Sequence, residues 1–204
     1  MKDIPGTKIK RDKNMIDFAI EMAVKAHREQ VRKGTVIPYI THPIGVAVLL
    51  AQSGCADELI TAGLLHDTIE DTAICLKDIR DQFGEFVASI VEGCSEPDKT
   101  LDWEDRKKHT IEFLKTASLD IRIVACADKL NNIRTIASDY NEIGDKVWER
   151  FNRGKKEQEW YYRSLVKSIC DQHDVPDNMT LFEQLKNEVE NLFGRKRGVR
   201  ARGT

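Results

Sequence analysis

The chain has no CxxC pair, no excess of charge of one sign, no long apolar run and no convincing alternation of apolar and polar residues. Each absence excludes a class. The formal net charge is -2, which argues against a chain built as a whole for nucleic acid, although local charge can still hold an anionic small molecule. No stretch approaches the apolar length needed to cross a bilayer, and no apolar run follows Met1-Lys2-Asp3-Ile4-Pro5-Gly6, so neither a membrane partner nor a signal peptide is expected. The cysteines, Cys55, Cys75, Cys94, Cys126 and Cys170, stand singly, some in apolar surroundings such as Val124-Ala125-Cys126-Ala127. They read as small hydrophobes, and single cysteines without a cleaved leader point to a cytoplasmic location.

What is present is helical. Hydrophobic residues make up 41% of the 204 positions and charged residues 32%, enough for a core inside a wet surface. Ile16, Ala19, Ile20, Ala23 and Val24 recur at helical spacing and predict a helix over 14–32, ended by Arg32-Lys33-Gly34-Thr35. A short extended segment leads to Thr41, a candidate cap, and Pro43 suits the first turn of a helix over 43–53. Further helices are expected from Asp57 to His66, over 75–82 and 84–92, over 102–116, and from an Asp120 cap to about 138. Residues 95–100 read as a loop and 139–146 as a connector, followed by helices over 154–171 and 179–193. The fold class is all-α: a helical core over 1–140, C-terminal helices over 141–194, and a basic tail over 195–204. That tail reads either as a solvated, disordered end or as a phosphate- or RNA-touching segment.

Three short stretches stand out. They are Tyr39-Ile40-Thr41-His42-Pro43, His66-Asp67-Thr68-Ile69-Glu70-Asp71 and Asp128-Lys129-Leu130-Asn131-Asn132. Asp67 directly follows the apolar run Ala62-Gly63-Leu64-Leu65, and Asp128 sits inside an apolar helix. A buried carboxylate is costly unless it is paired or binds a metal. Each residue alone reads equally well as a hydrogen-bonded polar group at a helix end. Together, two histidines and two aspartates make a mixed imidazole–carboxylate set suited to Mn²⁺, Fe²⁺ or Zn²⁺. Glu70 and Asp71 beside them supply the acids that phosphoester hydrolysis needs.

The series Arg32-Lys33-Gly34, Pro38 to Pro43, Leu64-Leu65-His66-Asp67-Thr68-Ile69-Glu70-Asp71 and Asp128 to Asn132 resembles the HD-superfamily hydrolase domain of the RelA/SpoT type, in the size range of its small stand-alone members. The likeness covers about residues 14–138. It implies an HD-domain helical bundle that removes pyrophosphate from the 3′ position of guanosine tetra- and pentaphosphate, usually with Mn²⁺. It implies His42, His66, Asp67 and Asp128 as metal ligands, Glu70 and Asp71 as catalytic acids, and Arg32, Lys33, Lys129 and Asn132 as substrate contacts. Asn132 lies one helical turn after Asp128 and so faces the same way.

Two departures leave alternatives open. The Gly34-Thr35-Val36-Ile37 loop is longer and more apolar than the family pattern near the expected base pocket, so another nucleotide or phosphoester is a second substrate class. A nucleotide-binding module without turnover is a third reading. The aromatics between Trp148 and Ile169 fill the core, close the substrate site or form a surface for a homo-oligomer. His27, His109 and His173 have no matched role and read as ordinary surface or core histidines.

Overall fold

The computed structural model describes residues 14–96, 100–171, 175–176 and 179–194. The basic tail over 195–204, residues 97–99 of the expected loop, and His173 lie outside the described residues. The protein is all-α. Its helices are α1 (Met15–Ala26), α2 (Thr41–Gln52), α3 (Asp57–Leu65), α4 (Thr68–Asp71), α5 (Leu76–Cys94), α6 (Trp103–Leu114), α7 (Leu119–Ile143), α8 (Lys155–Cys170) and α9 (Thr180–Phe193). A 3-10 segment, Gly144–Arg150, joins α7 to the last two helices. Among the described residues no strand forms; the single extended pairing is an isolated antiparallel bridge between Val31 and Pro38. No helix of the described residues is long and apolar enough to cross a membrane.

Helix α7 is the axis. Ile123, Val124, Ala125, Cys126, Ala127, Leu130 and Ile133 are all buried, so it is apolar around most of its circumference, as a central helix must be. Helices α2, α3, α5 and α9 pack against it, and α1 packs on α3. Helix α8 closes the C-terminal side against α6 and α9. Trp148, Tyr162 and Phe193 stack there, with ring centroids 5.7 Å (Trp148–Phe193) and 6.1 Å (Tyr162–Phe193) apart.

Several boundaries differ from the sequence reading. Helix α1 stops at Ala26, six residues before residue 32. The backbone beyond it turns back on itself: Gln30 N–H donates to His27 O, Arg32 N–H to Ile37 O and Tyr39 N–H to Gln30 O, at 3.0, 2.8 and 2.9 Å. Those bonds make the Arg32–Tyr39 loop a folded platform, not a helix end. Residues 139–146 are no connector, because α7 continues to Ile143 and the 3-10 segment follows. The two helices expected at 75–82 and 84–92, by contrast, are both present within α5, which breaks between them where Gly84 takes φ 86° and ψ 171°, a conformation that side chains with a Cβ disfavour. The caps also shift. Thr41 and Asp57 are first helical residues after Ile40 and Ala56, and Ser118, whose hydroxyl accepts from Ile121 N–H, caps α7 in place of Asp120.

Candidate active site

Four side chains converge from three places in the chain. His42 comes from the first turn of α2, where Pro43 sits without penalty because the first helical N–H groups have no intrahelical partner. Helix α3 ends at Leu65, and Asp67, at φ -94° and ψ -5°, leads into α4. That break lets adjacent side chains face one point, which a continuous helix forbids. His66 Nε2 lies 3.0 Å from Asp67 Oδ2, and His42 Nε2 lies 3.6 Å from the same oxygen. Asp128, from mid-α7, places Oδ1 3.2 Å from His42 Nε2 and 3.8 Å from His66 Nε2. His42, His66 and Asp128 are buried, and their ligand atoms all lie within 4.8 Å of one another, close enough to hold one metal ion.

The outer contacts of the imidazoles fix their tautomers. His42 Nδ1 is 2.7 Å from Asn131 Oδ1, and His66 Nδ1 is 2.8 Å from the Gly63 carbonyl. Both partners accept, so each Nδ1 carries a proton and each neutral ring turns its Nε2 lone pair toward the carboxylates. His66 Nε2 is buried with no hydrogen-bond partner among the described residues. Lone pairs facing carboxylates repel unless a cation lies between them, so this donor set fits a divalent ion. Without one, burial opposes charge on His66, but Asp67 and Asp128 outweigh it and raise its pKa to about 9. Burial likewise opposes the Asp67 and Asp128 carboxylates. The facing histidines around Asp67, and Lys129 with them around Asp128, nevertheless hold both below the usual carboxylate range.

Around the cluster the support is dense. Tyr39 donates its hydroxyl to Asp67 Oδ2 at 2.6 Å, and burial and that carboxylate push its pKa far up, so it remains a donor. Lys129 Nζ pairs with Asp128 Oδ2 at 2.6 Å. Asn132 Nδ2 donates to Asp128 Oδ1 at 2.6 Å and its Oδ1 accepts from Arg32 Nη2 at 2.8 Å, the same-face relation expected one turn apart. Gly45 lets α2 approach this point: a Cβ there would lie 2.3 Å from Asn131 Nδ2.

A cleft of two chambers opens here. The first, about 530 Å³, is lined by His42, Asp67, Glu70, Asp71 and Asp128 together with His109 and Phe113. The second, about 300 Å³, is lined by Arg32, Lys33, Arg150, Trp103, Phe151 and Tyr162. Tyr39, Lys107, Lys129, Asn132 and Tyr161 border both. All ten residues singled out in the sequence therefore lie at the cluster or on these walls. Lys107, Arg150, Asn131 and Tyr39 were not singled out for a role, whereas Tyr161 is one of the aromatics read as filling the core, closing the substrate site or forming a surface. Lys107 sits in a charge run that looks like a solvated face, and Arg150 arrives from a C-terminal element without a local motif. Asn131, beside Asn132, carried the one available signal. His109, expected to be an ordinary histidine, is a wall of the first chamber, whereas His27 is a buried core residue bonded to Gln30 Oε1 at 2.7 Å.

A family model described as "HD domain" matches residues 19–153. The chain belongs to the HD-domain family. Its relatives place this HD domain with the RelA/SpoT type. It is 39% identical over 186 residues to the human guanosine-3′,5′-bis(diphosphate) 3′-pyrophosphohydrolase MESH1, covering 89% of this chain and 93% of that one. It is 38% identical over 124 residues to the GTP pyrophosphokinase of Streptomyces coelicolor, covering 59% of this chain but 14% of that protein. The solved structure of lmo0812 from Listeria monocytogenes superposes with a TM-score of 0.69 at 36% identity, covering 78% of this chain and 97% of that one. An HD fold with a buried His–His–Asp cluster suited to a divalent ion makes this protein a metal-dependent phosphohydrolase.

Proposed function

We propose that this HD domain is a guanosine-3′,5′-bis(diphosphate) 3′-pyrophosphohydrolase that releases pyrophosphate from guanosine tetra- and pentaphosphate. The observation that carries the reading is the pairing of the chambers. One holds the metal-suited cluster and two further acids; the other is basic and aromatic; and Lys129, Lys107 and Asn132 stand where they meet. A molecule with a diphosphate near one end and a planar base at the other fits that layout. The name of the human relative supports the same assignment.

In this reading His42, His66, Asp67 and Asp128 hold the ion, with Mn²⁺ as the first choice and Fe²⁺ or Zn²⁺ compatible with the same donors. The ion supplies an acidified water and a polarised phosphorus. The protein does the rest. Tyr39 keeps Asp67 in place, and Asn131 and the Gly63 carbonyl keep both imidazoles turned inward. Glu70 and Asp71 take the proton from water and return one to the ribose 3′ oxygen as it leaves. Lys129, Arg32 and Lys33 offset the diphosphate charge, with Asn132 toward the sugar. The base lies against the second chamber, whose walls Phe151, Tyr161 and Tyr162 come from the segment after residue 140, so the core over 1–140 and the helices over 141–194 work as one catalytic unit. In this reading the partner is a small nucleotide.

A second substrate class rests on one observation. The base chamber is walled by aromatic and aliphatic faces, which stack on any planar ring. The deciding assay measures pyrophosphate and phosphate release by Mn²⁺-loaded protein. The panel holds guanosine tetraphosphate, adenosine analogues, NADPH and phosphomonoesters, with Asp67→Ala as control. Pyrophosphate from the guanosine compound alone, abolished with metal binding in Asp67→Ala, is expected. Preferential cleavage of another compound would overturn the substrate and leave the phosphohydrolase chemistry.

A further inference from the structure

We infer that Glu96, which lies outside every motif of the sequence, is the positioning residue for Glu70. The geometry is a two-ended clamp. At one end, the Glu96 backbone N–H donates to Glu70 Oε2 at 3.1 Å. At the other, the Glu96 side chain reaches across to α6, where Oε2 accepts from Arg106 Nη1 at 2.8 Å and Oε1 accepts from Lys107 Nζ. The preceding residue secures the same strand of chain, since Ser95 Oγ donates to Val91 O at 2.9 Å. All three charged side chains are largely shielded, with relative exposures of 12% for Glu96, 22% for Arg106 and 18% for Lys107.

Glu70 stands on the four-residue helix α4, too short to orient a side chain by its own packing. A fixed amide donor helps hold a carboxylate in one rotamer, and the tie of the Glu96 side chain to α6 fixes this donor on the far side of the Ser95 anchor. The two cations have different duties. Among the described residues Arg106 is ion-paired with Glu96 and lines neither chamber, whereas Lys107 borders both chambers of the cleft. When a substrate phosphate draws on Lys107, the Arg106 bond keeps Glu96, and with it Glu70, in place. Burial works against the Glu96 carboxylate, yet Lys107 and Arg106 hold its pKa below the ordinary value, so the clamp is charged through the neutral range.

The inference rests on the reading of Glu70 as a catalytic acid, and a double-mutant cycle separates the two. The full chain, loaded with Mn²⁺, is assayed on whichever compound of the panel the wild type cleaves fastest, so a failed substrate assignment leaves this test intact. Glu96→Ala is expected to lower kcat about 10- to 100-fold, as small misplacements of a reacting group do. KM, metal content and the circular dichroism spectrum should hold. Glu96→Gln, whose amide oxygen still accepts from Arg106, should restore most of kcat. In a Glu70→Gln background, Glu96→Ala should change kcat by no more than about twofold, because its route of action is already gone. A full additional loss in that background would overturn the inference. So would a rise in KM at constant kcat, or a loss of activity that only follows a loss of metal or of melting temperature. Should Glu96→Ala fail to fold, Glu96→Asp, which keeps the charge and shortens the reach to α6, is read in the same cycle.

Discussion

At the scale of single residues, the metal-suited cluster depends on groups outside it. His42 and His66 present Nε2 only because Asn131 and the Gly63 carbonyl occupy the other nitrogen. Such outer partners typically govern metal affinity by about 10- to 100-fold. Asn131→Ala is therefore expected to weaken Mn²⁺ binding by about that factor with the fold intact, whereas Asn131→Asp, which still accepts from Nδ1–H, should keep most of the affinity; titration calorimetry distinguishes them. The sequence marked His42, His66, Asp67 and Asp128 because polar groups inside apolar runs demand an explanation. It gave Asn131, Tyr39 and Lys107 no role: the first two lie within marked stretches, but a hydrogen bond across 89 positions, as between His42 and Asn131, cannot be read from either stretch.

At the scale of elements, the junctions matter more than the helices. The end of α3 turns two adjacent residues toward one point, and the junction between α5 and α6 carries Glu96. Burial works against the Glu96 carboxylate, but Lys107 and Arg106 from α6 and Lys129 from α7 outweigh it and lower its pKa, with the Glu70 carboxylate of α4 bound to its backbone. The sign follows. A carboxylate with a depressed folded-state pKa stabilises the fold above its unfolded pKa of about 4.3 and loses that contribution as pH falls through the folded value. Urea melts of wild type and Glu96→Gln between neutral pH and pH 3 should therefore converge on acidification; curves that stay parallel would remove the charge from the account. Helix interiors were legible from periodicity, and α2, α3, α6, α8 and α9 sit close to their expected places. The end of α1 was not, because its stop is set by backbone bonds to the far arm of the 31–38 loop and not by a local breaker.

At the scale of the whole molecule, the metal-suited cluster joins α2, the α3–α4 junction and α7, so an ion there ties three otherwise separate segments of the native state. A ligand bound only to the folded form adds about 2.7 kcal/mol at a hundredfold excess over its Kd. Saturating Mn²⁺ should raise the melting temperature and a chelator should reverse it; the Asp67→Ala variant should show neither change in calorimetry. The C-terminal helices belong to the same account, since Trp148, Tyr161 and Tyr162 are buried and Tyr161 and Tyr162 also wall the cleft. By itself the sequence determined the helical class, the polar residues set beside apolar runs that gather in a metal-suited cluster, and the acids beside them, because periodicity and misplaced charge are local signals. The tertiary structure alone decided the folded loop after α1, the second chamber built partly from the chain after residue 140, and the Glu96 clamp. These arise where distant segments meet, and the energies that hold them there are contacts no single stretch of chain contains.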